Sequence, residues 1–479
     1  MLRIIKTNSI PKTEKRVYVN YEDLEEMGFE IGGRVLVNSN SLKSTPYHAK
    51  IEILDSKLKK GEVALSHDLY TRLDIRPSSK IIILPARELD SMKIIKQKIE
   101  HKKKYSYDDF VIIVDDIIND NFSDTEMNYF IVSCTSSLSR KECINLIKAL
   151  THSANHIDYY HNMKRFMIYH TEDLIGDYSA LLSSLICSNS NISMPLVNLK
   201  NSDILNSGFN QDISILEFTN ILDEKNIALY RPRDKSFIPY YRLSNYLNNF
   251  SLIDSTDLKL CLLISKCIIF NINNILLDFT ISPYSRFKSK DEIKLFYSKA
   301  HSLANHFEII LNTNILNLGS DIVSLDLGYY GFMKLENTIK NPVSIDKLTE
   351  KALVLSGRIL ELSGSVKPGL GYSLAQRILE SDKVGRKLEE LLSSQGLKQT
   401  NSKLFKKDIK IKVSDKSELI LNKEITDRWL KTLNFPQNPY SGISIKQLEN
   451  RDNEVVISVI SNSKSNVDRL SKSIIDYFE

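Results

Sequence analysis

Two stretches near the start, VYVNYEDLEEMGFEIGGRVLVN and GEVALSHDLYTRLDIRPSSKIIILP, repeat one plan: an apolar strand, a short helix, a turn and a second apolar strand. Leu24 and Leu69 hold matching places in the helices, Gly32-Gly33 and Pro77-Ser78 mark the turns, and Val35-Leu36-Val37 answers Ile81-Ile82-Ile83. Neither half can bury its apolar face alone. The two must interlock, which predicts a small β-barrel of two half-repeats over residues 1–88.

The remaining chain changes period several times. The basic run KIIKQKIEHKKK, residues 93–104, lacks the interleaved aromatic residues of a nucleic-acid platform and reads as a solvated helix and linker. Ser123 with Glu126, and Ser139 with Glu142, have capping-box spacing and announce two helices. Ile113, Ile117, Ile118, Met127, Phe130, Ile131, Ile144, Ile147 and Leu150 fall on apolar faces at helical spacing, giving a helical domain over 89–163. RFMIYH, NISMPLVN, NIALY, NNILLDF, FEIILNT and IVSLDLG then read as strands of a largely parallel, helix-covered sheet. A helical block from Ser344 to Leu392, broken at VKPGLG, completes an α/β domain over 164–400. Residues 401–479 read strand, helix, strand, helix (KIKVSD, ITDRWLKTLN, EVVISVIS, NVDRLSKSIIDYF), a small C-terminal α+β domain. The expected class is α/β overall: barrel, helical domain, mixed or parallel sheet domain, α+β domain.

Composition removes several function classes. No run approaches the ~18 to 20 apolar residues of a membrane span, and the start carries no signal-length apolar run, so the expected address is cytoplasmic, without membrane contact. The five cysteines are unpaired in spacing, which argues against a disulfide framework or a zinc site and for small core residues. A net charge of +5 over 479 residues is far from the footprint of a nucleic-acid binder. His152, His156 and His161, with Asp158 among them, have ligand-like spacing, but THSANHIDYYHN reads as a helix end and hinge, so no metal is expected. The 16 glycines are about half of ordinary usage. None lies between Gly61 and Gly176 or between Gly208 and Gly319, which disfavours phosphate cradles built on bare backbone amides in those regions.

The block ALVLSGRILELSGSVKPGLGYSLAQRILESDKVGRKLEELLSSQG resembles the corresponding stretch of the thymidine phosphorylase and AMP phosphorylase family. The segment IIVDDIINDNFSDTEMNYFIVSCTSSLSRKECINLIKAL is similar to that family's N-terminal helical signature, and the leading barrel is like the one carried by its AMP phosphorylase branch. The resemblance implies a pentosyltransferase fold, with a contribution to the helical domain from near 255–270. It implies a homodimer or a pairing with a paralogue, and phosphorolysis of the N-glycosidic bond of a nucleoside or nucleoside monophosphate. Phosphate would be the co-substrate, with no other cofactor. The Gly369-Leu370-Gly371 turn corresponds to a helix start away from the chemistry.

Carried over residue by residue, the resemblance divides. The family's Lys-His-Ser-x-Gly-Gly loop looks like Tyr169-His170-Thr171-Glu172-Asp173-Leu174, which keeps His170 as the catalytic candidate and Thr171 as a hydroxyl. Pro232-Arg233-Asp234-Lys235 resembles the family's Pro-Ala-Asp-Asp, and family spacing then puts the base-contacting arginine at Arg242. LLISKC leaves Lys266 in the place of the base-contacting lysine, with Leu262 where the family has serine. LLDFTISPY keeps Asp278 at a strand end. On the phosphate side Tyr169 replaces the lysine, and Glu172, Asp173 and Leu174 replace the bare residues. Lys200, Ser207 and Gly208 are what remains of the second loop. One carboxylate about 4 Å from a phosphate charge costs about 4 kcal/mol at an effective dielectric of ~20, roughly three orders of magnitude in affinity. The expectation is a divergent phosphorylase-like protein with phosphorolysis impaired or lost. The alternatives are a nucleosidase using Glu172 or Asp173 as base on water, and a non-catalytic structural or regulatory subunit.

Overall fold

The structure is a computed structural model. It describes residues 2–5, 15–39, 46–54, 57–73, 75, 79–119, 121–122, 124–135, 138–152, 154, 156–159, 163–170, 176–197, 208–231, 243–244, 247, 255–281, 287, 289–317, 324–342, 345–396, 403–412, 423–435, 438–447 and 454–478. The chain divides into two compact units, Met1–Ser153 with Asn249–Leu258, and Ala154–Asn248 with Lys259–Glu479.

In the first unit, β1 (Leu2–Ile4), β2 (Arg16–Val19), β3 (Arg34–Ser39), β4 (Tyr47–Ile53), β5 (Glu62–Leu65) and β6 (Lys80–Pro85) close a barrel in the order β1-β5-β2-β4-β3-β6. Exchanging the first three strands for the last three reproduces the ring. Each half thus supplies strands that only the other half can flank: β2 pairs antiparallel with β5 and β3 with β6, while β1 runs parallel to β5 and β2 to β4. Closure leaves no strand edge free. Val17, Val19, Val35, Val37, Ile51, Val63 and Ile81 fill the core, together with Leu24 of α1 (Tyr21–Met27) and Leu69 of α2 (His67–Arg72).

Four helices follow: α3 (Asp90–His101), α4 (Tyr107–Ile118), α5 (Asp124–Thr135) and α6 (Arg140–His152). Ile113 and Ile117 belong to α4, which has a capping box of its own, Ser106 with Asp109, that the sequence analysis missed. The Ser139–Glu142 box forms: Ser139 N–H donates to Glu142 Oε2 at 2.9 Å, and Glu142 N–H donates back to Ser139 Oγ at 3.4 Å. Ser123 lies outside the described residues. Glu142 does more than cap. Its Oε1 accepts from Lys98 Nζ at 2.6 Å and from the Tyr105 backbone at 3.0 Å, so one lysine of the basic run is buried and paired while Lys93 and Lys96 stay in water.

In the second unit, β7 (Phe166–His170), β10 (Asn274–Ile281) and β11 (Ile310–Asn317) form a parallel sheet in the order β11-β10-β7. β8 (Met194–Val197) and β9 (Ile227–Tyr230) pair in parallel, and a bridge between Arg165 and Ser193 ties them to the start of β7. α7 (Gly176–Ser188), α8 (Ile215–Lys225), α9 (Thr256–Ile269) and α10 (Lys290–His306) alternate with the strands. α9 begins in the first unit. Strands buried on both faces are mostly apolar, as in Ile275, Leu276, Leu277 and Phe279 of β10. The side chain of Gln395, at the end of α14 (Asp382–Gln395), pairs with the free edge of β9, accepting from Leu229 N at 2.9 Å and donating to Leu229 O at 2.7 Å.

One strand departs from the sequence expectation. β12 (Ser324–Gly328) leaves the parallel sheet and pairs antiparallel with β14 (Gly442–Gln447), in a four-stranded sheet ordered β12-β14-β15-β13. The others are β13 (Phe405–Lys412) and β15 (Glu454–Ser461). The reason lies in its alternation: Leu325 and Leu327 are buried two apart, the signature of a strand covered on one face. β14 itself, GISIKQ, is a strand the sequence analysis did not identify. α11 (Tyr329–Lys340), α15 (Lys423–Thr432) and α16 (Lys464–Phe478) belong to the same unit. The helical block comprises α12 (Lys347–Ser363), α13 (Gly371–Leu379) and α14. A Cβ on Gly371 would fall 2.1 Å from the Gly357 carbonyl oxygen, so glycine is required where α12 and α13 cross.

Burial alone would raise the Glu142 carboxyl, but hydrogen bonds from Lys98, Ser139 and Tyr105 outweigh it and hold the group at about 2, against an ordinary 4.5. A depressed acid stabilises the fold above its unfolded value and loses that contribution as pH falls through the folded value. Stability of the first unit therefore declines between about pH 4.5 and 2. Lys98→Met, which strands a buried carboxylate, should cost about 3–5 kcal/mol, read in denaturant melts or amide exchange of the first unit. Replacing both partners by apolar residues should recover most of it.

Candidate functional site

Parallel α/β sheets bind ligands at the carboxyl ends of their strands, where the connecting loops diverge. His170 is the last residue of β7, and its register partner on β10 is Asp278, whose own partner on β11 is Asn314. Register partners project to the same face of a sheet, so three polar side chains from three adjacent strands meet in one row. Asp278 Oδ2 lies 2.8 Å from His170 Nδ1, and Asn314 Nδ2 donates to Asp278 Oδ1 at 3.0 Å. Lys351 enters from α12, with Nζ 2.6 Å from Asp278 Oδ2 and 3.0 Å from Thr280 Oγ1.

A run of small residues brings α12 close enough to deliver that lysine. On α7, Ser179, Ser183 and Cys187 stand four apart and donate in turn to the carbonyls of Leu348, Ala352 and Ser356 at 3.3, 2.9 and 3.7 Å. Bulkier residues there would hold the helices apart. Lys351 then sits on the buried side of α12, both it and Asp278 being 1% exposed.

Burial would push the Asp278 carboxyl up, but the His170 hydrogen bond and the Lys351 charge outweigh it and hold the group well below the usual carboxylate range. Asp278 is therefore an anion throughout the physiological range. The outer nitrogen of His170, Nε2, is buried and has no hydrogen-bond partner among the described residues. A buried polar atom without a partner is uncommon in a folded protein, which makes this one, at the strand ends, the candidate for ligand contact.

Of the residues singled out from sequence, the structure joins His170 to Asp278. Lys266 stands in the last turn of α9, an element separate from β7, β10, β11 and α12, which build the row. Thr171, Glu172, Asp173, Leu174, Lys200, Ser207, Pro232-Arg233-Asp234-Lys235 and Arg242 lie outside the described residues. Gly208 makes room for a ring: a Cβ there would fall 2.3 Å from Phe332. The Gly369-Leu370-Gly371 turn has its amides taken by a carboxylate of the chain itself, Glu361 Oε1 accepting from Gly369 N at 2.8 Å and Gly371 N at 3.0 Å. All five cysteines are buried thiols outside any disulfide. Among the described residues no helix is long and apolar enough to cross a membrane.

Lys351 and Asn314 were missed. The signal for Lys351 was a charge beside the apolar stripe Leu348, Ala352, Leu355, Ile359, where a solvated lysine has no place. For Asn314 it was the polar triplet NTN inside an otherwise apolar parallel strand.

The fold and this row define a mixed α/β protein with a polar site at the strand ends. Comparison with known proteins narrows the class. The chain is similar to a protein described as a putative thymidine phosphorylase in Legionella pneumophila strain Corby, 22% identical over 431 residues, covering 87% of this chain and 82% of that one. It is also similar to the AMP phosphorylases of Methanocaldococcus jannaschii (21% identical, 78% of this chain and 79% of that one) and Methanococcus maripaludis (24%, 80% and 77%). No family model matches the chain. Among solved structures it is similar to anthranilate phosphoribosyltransferase from Thermus thermophilus, with a TM-score of 0.47, 12% identity, and coverage of 63% of this chain and 98% of that one. Over most of its length the chain thus resembles proteins named as thymidine phosphorylase and AMP phosphorylase, at 21–24% identity.

Since Asp278 is depressed when folded, its contribution to stability is complete above the ordinary 3.8 and is lost as pH falls below it. Asp278→Asn should flatten the acid limb of urea midpoint against pH. At pH 7 it should cost about 3–5 kcal/mol, because Lys351 is left buried without its counter-charge.

Proposed function

We propose that this chain binds a nucleoside or nucleoside monophosphate at the carboxyl ends of β7, β10 and β11, as a pentosyltransferase-type protein whose phosphorolysis is impaired or lost. The observation that carries the reading is the His170–Asp278–Asn314 row, buttressed by Lys351, with His170 Nε2 left for a ligand. Relatives named as phosphorylases of thymidine and AMP supply the class of reaction. In N-glycosidic cleavage the sugar develops oxocarbenium character while negative charge grows on the departing base, so the protein must offer hydrogen bonds and cations on the base side. His170, Arg242 and Lys266 are the residues proposed for it. The incoming dianion needs bare amides, hydroxyls and a lysine. Here Thr171, Lys200 and Ser207 are proposed to be what is left of that set, with Tyr169 in place of the lysine and Glu172 and Asp173 adding repulsion. Phosphate would be the co-substrate of any residual activity, with no other cofactor.

Two carboxylates in place of the bare residues support one further reading, a nucleosidase in which Glu172 or Asp173 draws a proton from water. Either way the protein is proposed to work in the cytoplasm, as a homodimer or paired with an active paralogue.

Purified full-length chain, incubated with AMP, CMP, UMP or thymidine, should release base under phosphate at a rate at least roughly three orders of magnitude below an active family member. Robust phosphate-dependent release would overturn the proposal. Phosphate-independent release abolished by Glu172→Gln or Asp173→Asn would establish the hydrolytic form; release unchanged in both variants would exclude it.

A further inference from the structure

β11 pairs in parallel with β10, and among the described residues no strand flanks its other side. Natural sheet edges are blunted by lysine, proline, a bulge or a covering loop. β11, ILNTNILN, carries no charge and no proline over its 8 residues, and it leaves Ile310 58% and Ile315 45% exposed. Ile310 N–H donates to the Asn273 carbonyl at 2.9 Å, so Ile310, Asn312, Asn314 and Leu316 turn their backbone groups toward β10. Leu311, Thr313 and Ile315, alternating with them, turn theirs to the open side.

By chemical type this edge reads the same in both directions. About Thr313 stand Asn312 and Asn314, then Leu311 and Ile315, then Ile310 and Leu316. A second copy laid antiparallel, with Thr313 against Thr313, therefore sets amide against amide and aliphatic against aliphatic along the whole joint. The backbone agrees with that register. Thr313 meets the partner's Thr313 and Leu311 meets the partner's Ile315, so the residues with open backbone groups form the pairs that exchange N–H···O bonds. Each exposed isoleucine gains a leucine: Ile310 the partner's Leu316, and Ile315 the partner's Leu311. Centring the joint on Asn312 or Asn314 would oppose asparagine to isoleucine or leucine, so the sequence selects one register. Such a joint is two-fold, uses both open edges and closes on itself.

The edge is deep enough to hold a dimer. α10 covers one face of the sheet, where its Phe296 ring lies 5.6 Å from Phe279, and α12 covers the other, where Lys351 reaches Asp278. Helix, sheet and helix at ~10 Å each, along a paired span of about 24 Å, offer on the order of 700 Å² per copy. That is close to the ~800 Å² per partner of a standard specific interface. We propose that two copies of this chain join β11 to β11 in one continuous sheet centred on Thr313, and that the joint reaches the polar row. Asn312 and Asn314 project to the face that carries His170 and Asp278, so the partner's Asn312 stands beside Asn314 and extends the row. Asn314 Nδ2 is given to Asp278 Oδ1, which leaves its carbonyl oxygen to accept from the partner's Asn312 amide. The inference rests on the homodimer put forward above and names its surface; it does not depend on what the site binds.

The test uses purified full-length chain without nucleotide, so its failure is distinct from a failure of the ligand reading. Sedimentation should give the mass of a dimer. Ile315→Lys, which puts a charge on the joint, should raise the dimer dissociation constant at least tenfold while far-ultraviolet circular dichroism stays that of the wild type. Disulfide capture reads the register. Opposed Thr313 residues stand about 5.5 Å apart at Cα, within the span of a disulfide, so Thr313→Cys should cross-link on mild oxidation. Ile310→Cys sits on the more exposed residue, yet faces its own copy across roughly 20 Å and should not cross-link. The native cysteines are buried and give no background. A monomeric wild type, a dimer indifferent to Ile315→Lys, a folded Thr313→Cys dimer that does not cross-link, or Ile310→Cys cross-linking as fast as Thr313→Cys would overturn the proposal. If Thr313→Cys does not fold, the masses of the wild type and Ile315→Lys decide.

Discussion

The ion pair between Asp278 and Lys351 is what the second unit's site depends on. It joins a strand end to a helix distant in sequence, and neither charge would tolerate burial without the other. A buried pair of this kind adds little net stability, because desolvation consumes most of the attraction. Its stronger effect is geometric. With Oδ2 fixed between Lys351 and His170, and Oδ1 fixed by Asn314, the imidazole is held at one place and angle at the end of β7. The small residues along α7 that admit α12 are therefore part of the site's construction, although none of them belongs to the polar row.

The first unit uses the same device for a different end. Glu142 closes a helix start through Ser139, takes up Lys98 and pins the Tyr105 backbone, so one carboxylate fastens α3, the start of α4 and α6 together. Tyr105 finishes the cluster with a hydroxyl contact to Ser133 at 2.6 Å. The two clusters differ in one respect: among the described residues, His170 Nε2 is buried without a hydrogen-bond partner, whereas no side-chain atom of the Glu142 cluster is.

How much was legible followed from how local each signal was. The paired half-units, the Ser139–Glu142 box and the apolar runs of β7 and β10 are written in consecutive residues, and they could be read directly. β12 was misassigned to the parallel sheet because an apolar run says that a strand is buried, not which strand flanks it; its partner β14 comes more than a hundred residues later. His170 and Asp278 were picked out through family likeness, but their contact spans 108 positions and no spacing rule would have joined them. Lys351 went unread for the same reason, since a lysine on a helix is expected in water and only the tertiary arrangement turns it inward. Thr171, Lys200, Ser207 and Arg242 lie outside the described residues, so for them the sequence is what speaks.

The central claim is that the strand-end row holding His170 is where this divergent chain still meets a nucleoside or nucleotide. It is tested most directly by a crystal structure of the full chain soaked with AMP and sulfate. The account predicts density for the base with a polar atom within hydrogen-bond distance of His170 Nε2, and no sulfate held between Thr171 and Lys200. Base density elsewhere, or a fully occupied sulfate beside Thr171 with His170 turned away from Asp278, would contradict it.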